Sequence, residues 1–150
     1  MKTHAIFSVL GMAIALAAPA WAALGGDAAS VQADLLRMKG ELHSSSSGSV
    51  TVHEITADHG MVVRQYLTPG GKVFAVSWRG PVNPDLHQLF GTYYGQFEQA
   101  AATAPHTDLR HLTIEQPGLV VHASGRLRAL FGRAWIPGLL PKDFSAADIE

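Results

Sequence analysis

Three short stretches with strand-like alternation constrain the fold of this 150-residue chain more than any other feature. The stretches are VTVHEIT (50–56), MVVRQYL (61–67) and KVFAVSW (72–78). They are rich in β-branched and aromatic residues, and the connections ADHG and TPGG are turn sequences. Three strands joined by tight turns predict a β-meander. In the third strand Phe74, Val76 and Trp78 share one face, which is the expected core side.

A second set of strand-like stretches lies near the end of the chain. Its members are LRHLTIE (109–115), LVVHA (119–123) and RLRALFGRAW (126–135). Between the two sets, Asn83-Pro84-Asp85 predicts the start of a helix over 84–102, because Asn caps helices, Pro favours the first helical position and an acid favours the first turn. The apolar residues of this helix form one stripe suited to packing on a sheet.

The remaining segments complete a single domain. Asp27 caps a helix that ends at Gly40, and HSSSSGS (43–49) is typical of a flexible Ser-rich connector. The tail, residues 136–150, is interrupted by prolines and is expected to pack as an extended segment. The predicted order is α-βββ-α-βββ over residues 23–150. This order predicts an α+β fold. Its mainly antiparallel sheet is built from two meanders, and the 84–102 helix packs on the sheet.

The first 22 residues have the pattern of a secretory signal peptide. A short basic start precedes the apolar run AIFSVLGMAIALAAPAWA, which ends in an A-x-A cleavage pattern at Ala20-Trp21-Ala22. The run is short for a membrane span, and the rest of the chain contains no second long apolar run. We therefore expect a periplasmic or secreted protein with no membrane span after cleavage.

Composition excludes several classes of function. The formal net charge is −1, whereas binding to nucleic acid requires a concentrated basic surface, so nucleic acid is not an expected partner. The chain has no cysteine, which removes thiol nucleophiles, zinc ribbons and iron–sulfur clusters. No glycine-rich phosphate loop or nucleophile-elbow motif is present either, and no cofactor is expected.

The stretch HEITADHG resembles a metal site at first sight, with His53, Glu54, Asp58 and His59 within eight residues. A zinc-protease helix needs histidines at i and i+4, whereas these two are six apart and lie in a strand–turn setting. A hairpin still offers a way to bring the four together at its mouth. They are therefore weak metal candidates, and ordinary strand and turn roles are the alternative.

Aromatic and basic residues supply the binding candidates. Tyr66, Trp78, Tyr94 and Trp135 are potential exposed aromatics, and Arg126 and Arg128 alternate on the predicted last strand. Two arginines on one strand face offer an anion site for a lipid head group, a glycan carboxylate or a phosphate, although a solvated strand face is the alternative. The binding surface is expected on the sheet face that the 84–102 helix leaves uncovered.

Three segments along the chain have an unusual sequence: ALGGDAASVQAD, VHEIT followed by GMVVRQYLTPGGKVFAVSWRGPVNPDLHQLFGTYY, and GRAWIPGLLP. In these segments the chain resembles a family of small exported proteobacterial proteins known only as domain of unknown function 2844. The resemblance implies an exported single-domain protein of a Gram-negative bacterium and assigns no activity, cofactor or catalytic residue.

Two principal functions follow from these observations. The first is a non-enzymatic exported module that binds a protein partner or an envelope ligand and has no catalytic residues. The alternative is a small metal-dependent hydrolase that uses the His53/Glu54/Asp58/His59 group. A structural subunit that assembles with copies of itself is a third hypothesis.

Overall fold

The computed structural model describes residues 24–104 and 111–150, and the predicted signal peptide lies outside these residues. The helices are α1 (Ala28–Met38), α2 (Leu86–Phe90) and α3 (Tyr94–Thr103). The strands are β1 (Glu41–Ser47), β2 (Val50–Ala57), β3 (Met61–Leu67), β4 (Val73–Gly80), β5 (His111–Gln116), β6 (Leu119–Arg126) and β7 (Ala129–Trp135). No helix within the described residues is both long enough and apolar enough to cross a membrane.

All seven strands join one antiparallel sheet in the order β1-β2-β3-β4-β7-β6-β5. The first four strands form a meander and the last three form another, so that β4 and β7 pair at the centre of the sheet. The α+β class and the mainly antiparallel sheet are therefore confirmed, with helices covering one face of the sheet.

The first meander has four strands rather than the expected three. Residues 43–47, which the serine run marked as part of a flexible connector, belong to β1 and pair with β2 over their whole length. Ladder hydrogen bonds come from the main chain and require no particular side chain. Leu42 also packs against the core, which holds this polar strand at the sheet edge.

One face of the sheet, the helix face, is covered by α1, α2 and α3. Its core includes Val63, Val76, Trp78, Leu89 and Phe90. The expected 84–102 helix is instead divided, because Gly91 at the end of α2 has a φ of 49° and a 3-10 turn separates α2 from α3. Asp85, and not Asn83, caps α2 through the main-chain N–H of Gln88.

The opposite face, the tail face, is partly covered by residues 140–150. Phe144 and Ile149 pack there with Tyr66 and Phe74, and the Phe74 and Phe144 ring centroids are 5.4 Å apart. A register shift between Tyr66 and Leu67 interrupts the β3–β4 ladder. Phe74 consequently packs in the tail-face cluster, whereas Val76 and Trp78 pack in the helix-face core.

Candidate binding surface

The four weak metal candidates are not brought together. Alternation along β2 directs His53 and Glu54 to opposite faces of the sheet. Asp58 and His59 lie in the exposed turn between β2 and β3, where His59 has a φ of 64°. Among the described residues, no group of three or more His, Asp or Glu side chains is placed to hold a metal. The geometry therefore contradicts a metal site formed by these four residues.

His53 and Glu54 each have a different partner. The Nδ1 atom of His53 lies 2.7 Å from the Ser44 hydroxyl on β1, and burial lowers the pKa of the imidazole. Glu54 forms an ion pair with Arg64 at 2.7 Å on the tail face. A serine beside a neutral histidine has the spacing of a nucleophile and its base. Within residues 24–104 and 111–150, however, no carboxylate orients His53, so the Ser44–His53 pair links the edge strand to β2.

Two of the aromatic binding candidates are buried. Trp78 lies in the helix-face core, with its ring 5.8 Å from that of Phe90, and a Cβ atom on Gly132 would overlap the indole. Tyr66 lies beneath the tail. The expectation that these two side chains are exposed was wrong, because α2 and the tail cover them. Tyr94 is half-buried against Phe97.

Polar side chains of β3, β4 and β7 anchor the tail to the sheet. The Tyr66 hydroxyl donates to the main-chain oxygen of Glu150 at 3.0 Å, and the Ser77 hydroxyl and Arg64 Nη1 donate to the same atom. Arg133 Nη1 donates to the main-chain oxygens of Ala146 and Ile149, at 3.1 and 3.3 Å. We call the part of the tail face beneath residues 140–150, which lies on β2, β3 and β4 and includes Arg133 of β7, the covered half.

The rest of the tail face, on β7, β6 and β5 with Arg79 of β4 at its border, is the open half. A groove of about 670 Å³ lies along it between the strands and the end of the tail. A second groove of about 500 Å³ adjoins the first toward the β6–β7 turn. The residues common to both grooves are Arg79, His111, Ser124 and Phe131. Arg79 and Phe131 are direct cross-strand neighbours.

Trp135 lies at the inner end of the open half. Its half-buried ring packs edge-on against His122, with centroids 5.1 Å apart, and the Arg133 guanidinium lies 5.7 Å from its centre. The Nε2 atom of His122 is 3.9 Å from Glu115 Oε1, which is too long for a hydrogen bond. The contacts with His122 and Arg133 restrain the Trp135 ring, which is still partly accessible as a binding candidate.

Arg126 and Arg128 do not lie on one strand face as expected. Arg126 ends β6, whereas Arg128 lies in the β6–β7 turn with a φ of 62°. The expected strand over 126–135 begins only at Ala129, because Leu127 and Arg128 form the hairpin loop. Both arginines remain exposed at the same end of the sheet.

Arg79 and Phe131 are the residues of this surface that the sequence-based reasoning missed. Phe131 has the same strand parity as Arg133 and Trp135, so alternation within RALFGRAW contained the signal. Arg79 directly follows the expected strand 72–78, and its position beside Phe131 depends on the β4–β7 pairing. That pairing joins the two meanders and leaves no local trace in the sequence.

Comparison with known proteins identifies a family and no activity. A family model described as "Protein of unknown function (DUF2844)" matches residues 20–149. No curated protein and no solved structure matches the chain.

Proposed function

The chain belongs to the DUF2844 family, and from its structure we propose that it is an exported, non-enzymatic binding module associated with the cell envelope, with the open half as its binding surface. The ligand class that fits this surface is anionic with an apolar portion. Location in the periplasm or outside the cell is part of the proposal.

The observation that carries the proposal is an exposed aromatic ring beside an arginine, on a part of the sheet that no described segment crosses. Phe131 is 55% exposed and pairs across the strands with Arg79. The described residues that line the two grooves include three arginines, and Glu150 is their one acidic side chain. Aromatic and arginine side chains are enriched in binding hot spots, and arginine is suited to carboxylates and phosphates.

Further support comes from the burial of other aromatic side chains of the sheet. Tyr66 and Phe74 are buried with the tail, and Trp78 is buried in the helix-face core. Phe131, by contrast, is exposed among the described residues and lies in a groove that contains arginine and histidine side chains. A partner that buries this ring would gain apolar area that residues 24–104 and 111–150 do not cover.

The export part of the proposal is tested by producing the full chain in a Gram-negative host. The A-x-A pattern at 20–22 leads us to expect a mature protein that begins at Ala23 and is released from the periplasm. Intact-mass measurement and cell fractionation provide the readouts. An unprocessed chain in the cytoplasm would overturn export.

The binding part is tested by envelope retention of a variant with Arg79→Gln and Phe131→Ser. We expect this variant to lose most of the wild-type retention in the envelope fraction after gentle lysis. Leu36→Ser is the matched control, because Leu36 is 77% exposed on α1 and lies outside the open half. Equal retention of the three proteins, with equal thermal stability, would contradict the proposed surface.

A further inference from the structure

One end of the sheet collects exposed apolar side chains from separate elements. Leu127 lies in the β6–β7 turn and is 94% exposed. Val82, 59% exposed, follows β4 at the same end, because Gly80 pairs with Leu130 near the start of β7. Phe131 lies on the adjoining strand. Three of the five exposed large hydrophobic residues in the described parts of the chain therefore lie at this end, which we call the hairpin end.

The hairpin end is also cationic. Arg126 and Arg128 flank Leu127, and Arg79 lies beside Phe131. Within the described residues these three arginines make no ion pair with a carboxylate. The groove that leads to this end is lined by arginine, histidine, small and apolar residues, with no acidic side chain among its described members.

We propose that the hairpin end docks on the surface of a phospholipid bilayer that contains anionic lipids, which rests on the proposed function and specifies its envelope ligand. Leu127, Val82 and Phe131 enter the boundary between head groups and acyl chains. Arg79, Arg126 and Arg128 remain at the level of the phosphates and pair with them.

The arrangement of the apolar residues favours a bilayer over other anionic partners. An acidic polysaccharide would use the arginines and the ring of Phe131, but it would gain nothing from Leu127 at the tip of a turn. A folded protein partner requires a complementary pocket for each projecting side chain. A bilayer accepts apolar tips without such a pocket, and its phosphates provide the charge complement.

Vesicle co-sedimentation tests this docking. Purified processed protein is mixed with phosphatidylcholine vesicles that contain either no anionic lipid or about 30% phosphatidylglycerol. We expect binding to the anionic vesicles, little binding to the neutral ones, and loss of binding as salt is raised. Each arginine near the surface contributes about a fivefold factor in partitioning.

Substitutions separate the apolar contribution from the charge contribution. Arg126→Gln with Arg128→Gln is expected to weaken partitioning by roughly 10- to 30-fold, and Leu127→Ser by roughly five- to tenfold. The charge control is the double variant Lys72→Gln with Lys142→Gln, and the apolar control is Leu36→Ser. Both control variants should partition as wild type does.

The outcomes distinguish the docking from the underlying function. Absence of vesicle binding, or a Leu127→Ser variant that binds as wild type does, overturns the bilayer as the partner. If the Arg79→Gln/Phe131→Ser variant nevertheless loses envelope retention in cells, the open half still binds an envelope ligand and only the lipid assignment fails. Binding to soluble polygalacturonate that is unaffected by Leu127→Ser would assign the arginines to a glycan and also overturn the docking.

Discussion

The covered and open halves of the tail face contain similar side chains that have different roles. In the covered half, Tyr66 and Arg64 donate to the main-chain oxygen of Glu150, and Ile149 of the tail is buried against the sheet. In the open half, Phe131 and Arg79 form an equivalent aromatic–arginine pair that no segment of the described chain covers. An aromatic residue with an arginine is therefore an internal anchor where a segment of the chain crosses it and a binding candidate where none does.

Alanine substitution of the two aromatic residues should show the largest difference between the two halves. Tyr66→Ala removes a buried ring together with a hydroxyl that exchanges hydrogen bonds with Glu150, so the free energy of unfolding should fall by about 3–5 kcal/mol. Phe131→Ala should lower it by less than about 1 kcal/mol, since the ring is largely exposed. Chemical denaturation measures both values. Equal losses would mean that the open half is part of the core.

The helix face extends the comparison to a fully enclosed carboxyl group. Asp34 of α1 is buried and accepts hydrogen bonds from Gln65, at 2.5 Å, and from Gln88. Burial, opposed by these two hydrogen bonds, raises the pKa of Asp34 from 3.8 to about 6. The folded state thus binds the proton more tightly than the unfolded chain does. The stabilisation is complete below pH 3.8 and is lost as the pH rises through about 6.

The loss expected across this pH window corresponds to about 3 kcal/mol in the free energy of unfolding. Denaturation of wild type and Asp34→Asn at a series of pH values checks it, because the asparagine variant should lack this component of the pH dependence. Asp58→Asn, in an exposed turn, serves as the control and should retain it. Parallel curves for wild type and Asp34→Asn would show that water reaches the carboxyl group and that the helix face is not closed.

A smaller effect is expected from loosening the covered half. Ser77→Ala removes a hydrogen bond to the main-chain oxygen of Glu150 and should cost about 1–2 kcal/mol. Hydrogen exchange should accelerate in residues 144–150 and remain unchanged in α1, because the tail is held by a few anchors. Unchanged exchange in the tail would indicate that Tyr66 and Arg133 hold it without Ser77.

The strands were predictable where their side chains alternate, as in residues 61–67 and 72–78, because one face of each strand is buried. β1 was missed, because its serines give no apolar pattern and its pairing with β2 is a main-chain property. The burial of Tyr66 was missed for a different reason. It depends on the tail, which is more than 70 residues away in the chain and is joined to Tyr66 only by the fold.

The candidate site was less predictable than the fold. Trp135 and Arg126 were identified from residue type alone. Phe131 and Arg79, by contrast, become neighbours only through the pairing of β4 with β7. The metal candidates failed because alternation along one strand separates His53 from Glu54, and proximity in sequence does not imply a shared face.

Cysteine accessibility in cells measures whether the open half is occupied by a partner, since the chain contains no cysteine of its own. Single Leu127→Cys, Phe131→Cys and Leu36→Cys variants are treated with a membrane-impermeant maleimide, once as purified protein and once in osmotically opened cells. We expect all three cysteines to react in the purified proteins and only the cysteine at position 36 to keep its reactivity in cells. Equal reactivity of all three positions in cells would contradict a binding role for the open half.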